Sequence, residues 1–112
     1  MLSKKNRLTT ERDILRTRKG ESAKGAFFVI RVIKNNFGYP RIAVTVGKKV
    51  SLKSVERNLI KRQASEAVRL MLPNINSFDV FIFALPDAKK ASYKEIDEDV
   101  KKLFKKSKIT NA

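Results

Sequence analysis

The sequence contains no cysteine and no histidine, and these two absences remove most of the common protein chemistries. Without cysteine the chain has no disulfides, no thiolate nucleophile and no cysteine-based zinc site. Without histidine it lacks the commonest general base and the ligand of most transition-metal sites. An independent hydrolase made from this chain would have to work with carboxylates and lysines alone.

Long apolar runs and acidic residues are also scarce. No apolar segment approaches the roughly 20 residues of a membrane-spanning helix, and the basic start MLSKKNRLTT lacks the apolar stretch of a secretory signal. We therefore expect a cytoplasmic protein. Acidic residues number 11 against 26 lysines and arginines, which gives a net charge of +15. Such an excess repels itself and predicts a polyanionic partner, with nucleic acid ahead of an anionic membrane.

The 112 residues, 42% hydrophobic and 33% charged, suffice for one globular domain with a single core. Helix start and stop signals occur in order in TTERDILRTRKG, residues 9–20. Residues 26–33 and 41–46 are rich in β-branched and aromatic side chains, and we interpret them as an antiparallel pair with one buried face. We expect residues 1–8 to form a flexible basic arm.

The second half of the sequence continues the alternation of helix and strand. Ser51 or Ser54 is expected to cap a helix that ends near Leu72, and residues 79–85 predict a central strand covered on both sides. Ser92 and Glu95 form a capping box at the start of a last amphipathic helix. The order α-β-β-α-β-α predicts an α+β fold, a single-domain α/β sandwich with helices packed on one small mixed sheet.

The segment KSVERNLIKRQASEAVR, residues 53–69, is predicted to carry a basic helix face. On a wheel of about 100° per residue the apolar side holds Val55, Leu59, Ile60, Ala64, Ala67, Leu70 and Met71. The opposite side holds Arg57, Asn58, Lys61, Arg62, Ser65 and Arg69, with Val68 and Leu72 as apolar exceptions. A merely solvated face would mix charges of both signs, whereas arginine and asparagine together suit phosphate and sugar or base contacts.

These residues carry a resemblance to a known family. VGKKV followed by ERNLIKRQASEAVR resembles the signature of the bacterial ribonuclease P protein subunit, and the resemblance extends over nearly the whole chain. The motif positions are occupied by Lys48, Lys49, Arg57, Asn58, Lys61, Arg62 and Glu66. Leu59 and Ser65 depart from it, because the family usually has a basic residue at both positions; Arg69, one turn on, is a candidate replacement for Ser65.

The resemblance implies a protein that does not cut RNA itself. It implies assembly with a catalytic RNA that removes the 5′ leader from precursor tRNA, with Mg²⁺ bound in the RNA-containing holoenzyme and no cofactor held by the protein. It also implies an extra strand near residues 21–25. The chain is then the auxiliary subunit of an endoribonuclease, a single RNA-binding domain over residues 1–112. We expect it to be monomeric and to bind neither DNA nor membrane.

Two groups of contact residues follow from the motif and from the strand pattern. The expected contacts to the catalytic RNA are Lys48, Lys49, Arg57, Asn58, Lys61, Arg62 and Arg69. The expected contacts to the leader lie on the open sheet face and the first helix and are Ile14, Phe27, Arg31, Arg41 and Thr45. For Phe27 the alternative is that the ring packs under a helix. The acidic run Asp97, Glu98 and Asp99 is interpreted as a solvated helix surface rather than a metal site.

Three other functions share parts of this pattern. A ribosomal or ribosome-assembly protein would have the same size, charge and α+β plan, and only the dense signature separates the two. An autonomous nuclease would need convergent carboxylates. A DNA-binding protein is disfavoured because no helix-turn-helix spacing or dimer seam is present.

Overall fold

Alternating apolar residues build one four-stranded sheet in the computed structural model, which describes residues 2–109. The main elements are α1 (Glu11–Thr17), β1 (Glu21–Lys24), β2 (Phe28–Lys34), β3 (Arg41–Thr45), α2 (Ser54–Met71), β4 (Phe78–Ala84) and α3 (Tyr93–Lys106). Short 3₁₀ turns occupy Lys4–Asn6, Leu72–Asn74 and Pro86–Lys90. Met1 and residues 110–112, which the prediction of one domain over 1–112 includes, lie outside the described residues.

The strand order is β1-β2-β4-β3, in which β2 is antiparallel to β1 and β4, and β3 is parallel to β4. The α+β class, the small mixed sheet and the extra strand near residues 21–25 are therefore confirmed. The expected pairing of β2 with β3 is wrong, because β4 lies between them. Its apolar run suits an interior position, and the segment containing α2 is long enough to make the crossover that parallel neighbours require.

The core lies between the sheet and the two long helices. Ile30, Ile82 and Val44 are neighbours across three strands and are buried, and α2 and α3 cover this face. The buried residues of α2 are Ile60, Ala64, Ala67 and Val68. Val68, which the helical wheel left on the polar side, is thus in the core, whereas Val55, Leu59 and Leu70 are exposed.

The N-terminal residues are docked on the sheet, in contrast to the flexible arm expected for residues 1–8. Leu2 and Leu8 are buried, and the Leu8 amide donates to the Ile42 carbonyl at 2.9 Å. The Asn6 side chain donates to the Pro40 carbonyl at 2.8 Å. The arm adds a short bridge to the outer edge of β3, because an edge strand leaves its backbone groups available for pairing.

Helix α2 begins without the serine cap that the sequence suggested. Its N-cap is Lys53, which makes no side-chain cap, and Ser54 is the first helical residue. Ser51 instead accepts a hydrogen bond from the Lys53 amide and donates one to Glu56. The serine therefore orders the loop before the helix rather than the helix end itself.

Helix α3 has the predicted capping box between Ser92 and Glu95. Asp99, taken from the sequence as a solvated residue, is only 7% exposed. Its carboxylate accepts hydrogen bonds from the backbone amides of Ala26, Phe27 and Phe28 at 2.9–3.1 Å. Asp99 thereby fixes the turn between β1 and β2 against α3.

We expect Asp99→Ala to lower the free energy of unfolding by about 2–3 kcal/mol, because it leaves three amides, including that of the buried Phe28, without their acceptor. Asp97→Ala is the matched control, since the one ion pair of Asp97 within residues 2–109 is with Lys101, one helical turn away at 2.8 Å. That partly exposed pair is worth about 0.5 kcal/mol or less. Urea unfolding of both variants checks the difference, and equal losses would show that Asp99 does not anchor the turn.

Candidate RNA-binding surfaces

Among the helices of residues 2–109, the short helix α1 is the one that covers the sheet face opposite the core, where it packs on β2 and β4. The strand register sets the side chains of this face in cross-strand rows. One row runs through Arg31, Phe81 and Ala43, and the next through Val29, Phe83 and Thr45. The open face therefore places aromatic rings of the central strand between a cation on β2 and a hydroxyl on β3.

A buried carboxylate holds α1 on this face. Asp79 is fully buried, and its two oxygens accept from Arg41 Nε and Nη2 at 2.8 and 2.7 Å. Arg16 of α1 donates to the same carboxylate at 3.1 Å, and Asn35 at 2.9 Å. Burial alone would raise the pKa of Asp79, but the hydrogen bonds from Arg41 and Asn35 and the charge of Arg41 outweigh it and lower that pKa.

Arg41 is part of this network, and it is not among the residues that line the groove between α1 and the loop after β3. Besides Asp79 it contacts Asp13 of α1 at 3.2 Å, and its guanidinium lies 4.3 Å from the centre of the Phe37 ring. Its side chain is 14% exposed, and the hydrogen bonds that it donates to Asp79 are the main reason that its pKa is raised. Two carboxylates thus neutralise Arg41 and give it a structural role, and the leader contact expected from the sequence stays a prediction.

A groove of about 770 Å³ lies between α1, the open sheet face and the loop after β3. Its cationic residues are Arg18, Lys19, Arg31, Lys48 and Lys49, and no acidic residue lines it. Its floor contains Phe81 and Phe83, whose ring centres are 5.8 Å apart, and the Arg18 guanidinium lies 5.7 Å from the centre of the Phe81 ring. Arg31 donates to the Arg18 carbonyl at 2.7 Å, which ties the strand to the end of α1.

The residues expected to contact the leader lie in different parts of the structure. Arg31 and Thr45 line the groove, and Ile14 lines an adjoining depression with Thr45, Lys61 and Ser65. Phe27 lies in the turn before β2 and packs against the core on the helix side of the sheet. Its placement therefore follows the alternative drawn from the sequence, a ring that packs under a helix.

The sequence reasoning missed Phe81 and Phe83, and with them Leu15 and Arg18 of α1. The apolar run of β4 was interpreted as a strand covered on both faces, so its rings were assigned to the core. The sequence does contain a signal that one face of β4 lies outside the core. Asp79 is a charged residue at the start of the strand, and the residues two and four positions on share its face. Those residues are Phe81 and Phe83.

Helix α2 presents its polar residues away from the core. Asn58, Lys61 and Arg62 are exposed, and neither Lys61 nor Arg62 forms an ion pair within residues 2–109. Part of the Arg57 guanidinium is already hydrogen-bonded within the protein, because its Nη1 donates to the carbonyls of Ser51 and Leu52, each at 3.0 Å. Arg69 pairs with Glu66 across one turn.

Lys48 and Lys49 are exposed in the turn after β3 and line the groove rather than continuing the row of α2 residues. The residues expected to contact the catalytic RNA therefore fall on two surfaces. We call Asn58, Lys61, Arg62, Ser65 and Arg69 the basic strip of α2, and the cavity with Phe81 and Phe83 the leader-sized groove.

Within residues 2–109 no three histidine, cysteine, aspartate or glutamate side chains are grouped as metal ligands. The acidic run on α3 is dispersed: Asp97 pairs with Lys101, Glu98 is exposed and Asp99 faces the β1–β2 turn. No helix in this part of the chain is long and apolar enough to cross a membrane.

Comparison with known proteins gives one family. The family model for Ribonuclease P matches residues 2–108. The ribonuclease P protein component of Alkaliphilus metalliredigens is 38% identical over 92 residues, which cover 81% of this chain and 82% of that protein. The corresponding protein of a Pseudanabaena species is 30% identical over 112 residues and covers 97% of each chain.

A solved structure agrees with the sequence relatives. The Staphylococcus aureus RNase P protein has a TM-score of 0.88 and 27% identity, and the match covers 95% of this chain and 98% of that one. The sequence relatives and the solved structure thus agree in family and in fold, and they match over most of their length. The chain belongs to the ribonuclease P family, as a protein component of the bacterial type.

Proposed function

We propose that this protein binds the catalytic RNA of ribonuclease P through the basic strip of α2 and holds the 5′ leader of precursor tRNA in the leader-sized groove. In this proposal the RNA subunit cuts the leader and produces the mature tRNA 5′ end. The observation that carries the proposal is the groove itself, which combines five cations with two aromatic rings and has no acidic side chain in its lining.

A single-stranded leader needs a positively charged channel for its phosphates and flat surfaces for its bases. Phe83 and Phe81 supply the rings, and Arg31 lies beside Phe81 in the strand register. Lys48 and Lys49 follow β3 along the rim. In this proposal the two lysines therefore contact the substrate, whereas the motif alone grouped them with the catalytic RNA.

The basic strip of α2 follows the side of a helix that faces away from the core, which suits the backbone of a folded RNA. Residues at positions 58, 62, 65 and 69 follow one another at helical spacing along one side of α2. Arginine can hold phosphate oxygens with two parallel hydrogen bonds, and asparagine can bond a sugar or base edge. The strip lies on the other side of the β3 edge from the groove, so two RNA segments can bind at once.

The chemistry is assigned to the RNA because the chain contains no histidine and no cysteine to act as base or nucleophile. Mg²⁺ belongs to the RNA-containing holoenzyme in this proposal, and the protein residues supply binding and orientation only. The proposal also includes a cytoplasmic, monomeric protein that binds neither DNA nor membrane. Membership of the ribonuclease P family favours this function over the ribosomal alternative.

The groove is tested by Phe83→Ala combined with Arg31→Ala in the holoenzyme. Precursor tRNA binding should weaken by about 1–3 kcal/mol per lost stacked base, because a ring and a neighbouring cation are both removed. Mature tRNA binding should be unchanged, since mature tRNA has no leader. Both affinities can be measured by titrating holoenzyme into labelled RNA.

Phe27→Ala is the matched control, because its ring packs on the opposite side of the sheet. It should lower stability while the preference for precursor over mature tRNA persists. Equal losses for precursor and mature tRNA in the Phe83 and Arg31 variant would place the leader elsewhere, as would a loss of preference in Phe27→Ala alone.

A further inference from the structure

Beside the basic strip, the same helix carries exposed apolar residues. Leu52 is 83% exposed and Val55 79%, and Leu59 and Leu70 are 48% and 54% exposed. We call these four residues the apolar strip. A single exposed leucine on a protein surface needs no explanation, but several in a row along a proposed binding helix indicate a surface that a partner covers.

The two strips run side by side. At about 100° per residue, Val55, Leu59 and Leu70 fall within about 60° of one another on α2. Asn58, Arg62 and Arg69 fall within about 40° of one another on the neighbouring side. Residues three or four positions apart on a helix have Cβ atoms about 5–6 Å apart, so the two strips are in reach of one ligand. Leu52 precedes the helix, but its carbonyl accepts from Arg57 at 3.0 Å, which holds it beside the first turn.

Cations lie beside the apolar strip, and each carboxylate there is paired with one. Arg62 lies on one side. On the other side Glu56 approaches Lys89 at 3.9 Å. Glu66, whose helical angle falls within the strip, pairs with Arg69. A second copy of a chain with net charge +15 would be repelled from this surface. An RNA satisfies both features, since its phosphates meet the cations and its base or ribose faces meet the leucines and the valine.

The apolar strip also indicates which kind of RNA structure binds there. A regular RNA duplex stacks its bases away from contact and presents mainly phosphates and 2′-hydroxyl groups, whereas loops and bulges expose base faces. We propose that the apolar strip binds unpaired nucleotides of the catalytic RNA while the basic strip binds the adjoining phosphates. This inference rests on the proposed function, in which α2 docks on that RNA.

Salt dependence separates the two strips experimentally. Each phosphate contact contributes about 0.7–0.9 to the slope of log affinity against log salt, and an apolar contact contributes nothing to it. The test variant is Leu52→Ser, Val55→Ser, Leu59→Ser, in which only exposed side chains change. Its affinity for ribonuclease P RNA should be about tenfold lower at every salt concentration, or roughly 1.4 kcal/mol, with an unchanged slope.

Two further variants complete the design. Arg62→Ala should flatten the slope, and Phe37→Ser, which changes an exposed ring in the turn between β2 and β3, should bind like the unaltered protein. Chemical probing of the RNA should show unpaired bases that the unaltered protein protects and the serine variant leaves reactive. Circular dichroism and thermal unfolding confirm that the serine variant is folded.

The inference is wrong if the serine variant binds the RNA as tightly as the unaltered protein, or if its loss comes with a flatter slope. It is also wrong if that variant binds the RNA normally and instead loses the preference for precursor tRNA. Sedimentation showing an RNA-free dimer that the serine variant abolishes would make the strip a contact between copies. Failure of even the unaltered protein to bind ribonuclease P RNA would overturn the proposed function itself.

Discussion

Removal of the Asp79 carboxylate is expected to destabilise the protein by about 3–5 kcal/mol, because Asp79→Ala leaves the buried Arg41 without its main partner. Arg41 is 14% exposed and makes two short hydrogen bonds to Asp79. The same carboxylate binds Arg16 of α1. The variant should therefore loosen α1, which forms one wall of the leader-sized groove, as well as lower the free energy of unfolding. Urea unfolding followed by circular dichroism measures the loss.

The Asp79 contribution should also depend on pH. Because the folded-state pKa of Asp79 lies below its ordinary value, the network stabilises the protein at any pH above the unfolded pKa of about 4. That contribution is lost as the pH falls from about 4 through the lower folded-state pKa. The stability gap between the unaltered protein and Asp79→Asn should therefore be constant from pH 5 to 7 and narrow towards pH 3.

Asp13→Asn is the control for this network. Asp13 is partly exposed and contacts Arg41 at 3.2 Å, so its loss should cost about 1 kcal/mol or less. A loss for Asp79→Ala no larger than that of Asp13→Asn would contradict the role of Asp79. A gap between the unaltered protein and Asp79→Asn that widens below pH 4 would contradict the direction of the pKa shift.

The second large effect is expected on the basic strip. Lys61→Ala with Arg62→Ala should weaken binding of ribonuclease P RNA by roughly 1.5–3 kcal/mol for each lost charged contact. The slope of log affinity against log salt should flatten by about 1.8, or 0.9 for each duplex-like phosphate. Filter binding across a range of potassium chloride concentrations measures both. Arg57 is avoided here because its hydrogen bonds to Ser51 and Leu52 order a loop.

Lys94→Ala with Lys105→Ala is the charge-matched control for this experiment. Both lysines are exposed on α3 and lie outside α2 and the groove. Their removal lowers the net charge by the same amount and should leave the slope nearly unchanged. An unchanged slope in the α2 double variant, or equal flattening in both, would remove the basic strip from the interface.

The sequence predicts the helices and strands well because their signals are local. The capping box at Ser92, the alternation in β3 and the apolar stripe of α3 each depend on neighbours in the chain. Strand order depends on long-range pairing: the apolar run of β4 indicates an interior strand, but it does not indicate which strands lie on either side. The antiparallel pair inferred for β2 and β3 failed for that reason.

The candidate RNA-binding surfaces show the same difference between local signals and long-range pairing. The polar residues of α2 could be found from one helix and one motif. The groove could not, because Phe81, Arg31 and Lys48 come from β4, β2 and the loop after β3, and only the strand register brings them together. The Arg41–Asp79 pair and the burial of Asp99 were not found from the sequence, because the partners of both residues, Asp79 and the 26–28 amides, are distant in sequence.

Reconstitution of precursor tRNA cleavage is the most direct test of the central claim. Purified protein, a bacterial ribonuclease P RNA and 5′-labelled precursor tRNA are combined at low Mg²⁺, with protein-only and RNA-only reactions beside them. We expect cleavage at the mature 5′ end to be much faster with both components than with RNA alone. The protein alone should give no cleavage. Specific 5′ cleavage by repurified, RNA-free protein would contradict it, as would a complete reaction no faster than the RNA-only reaction.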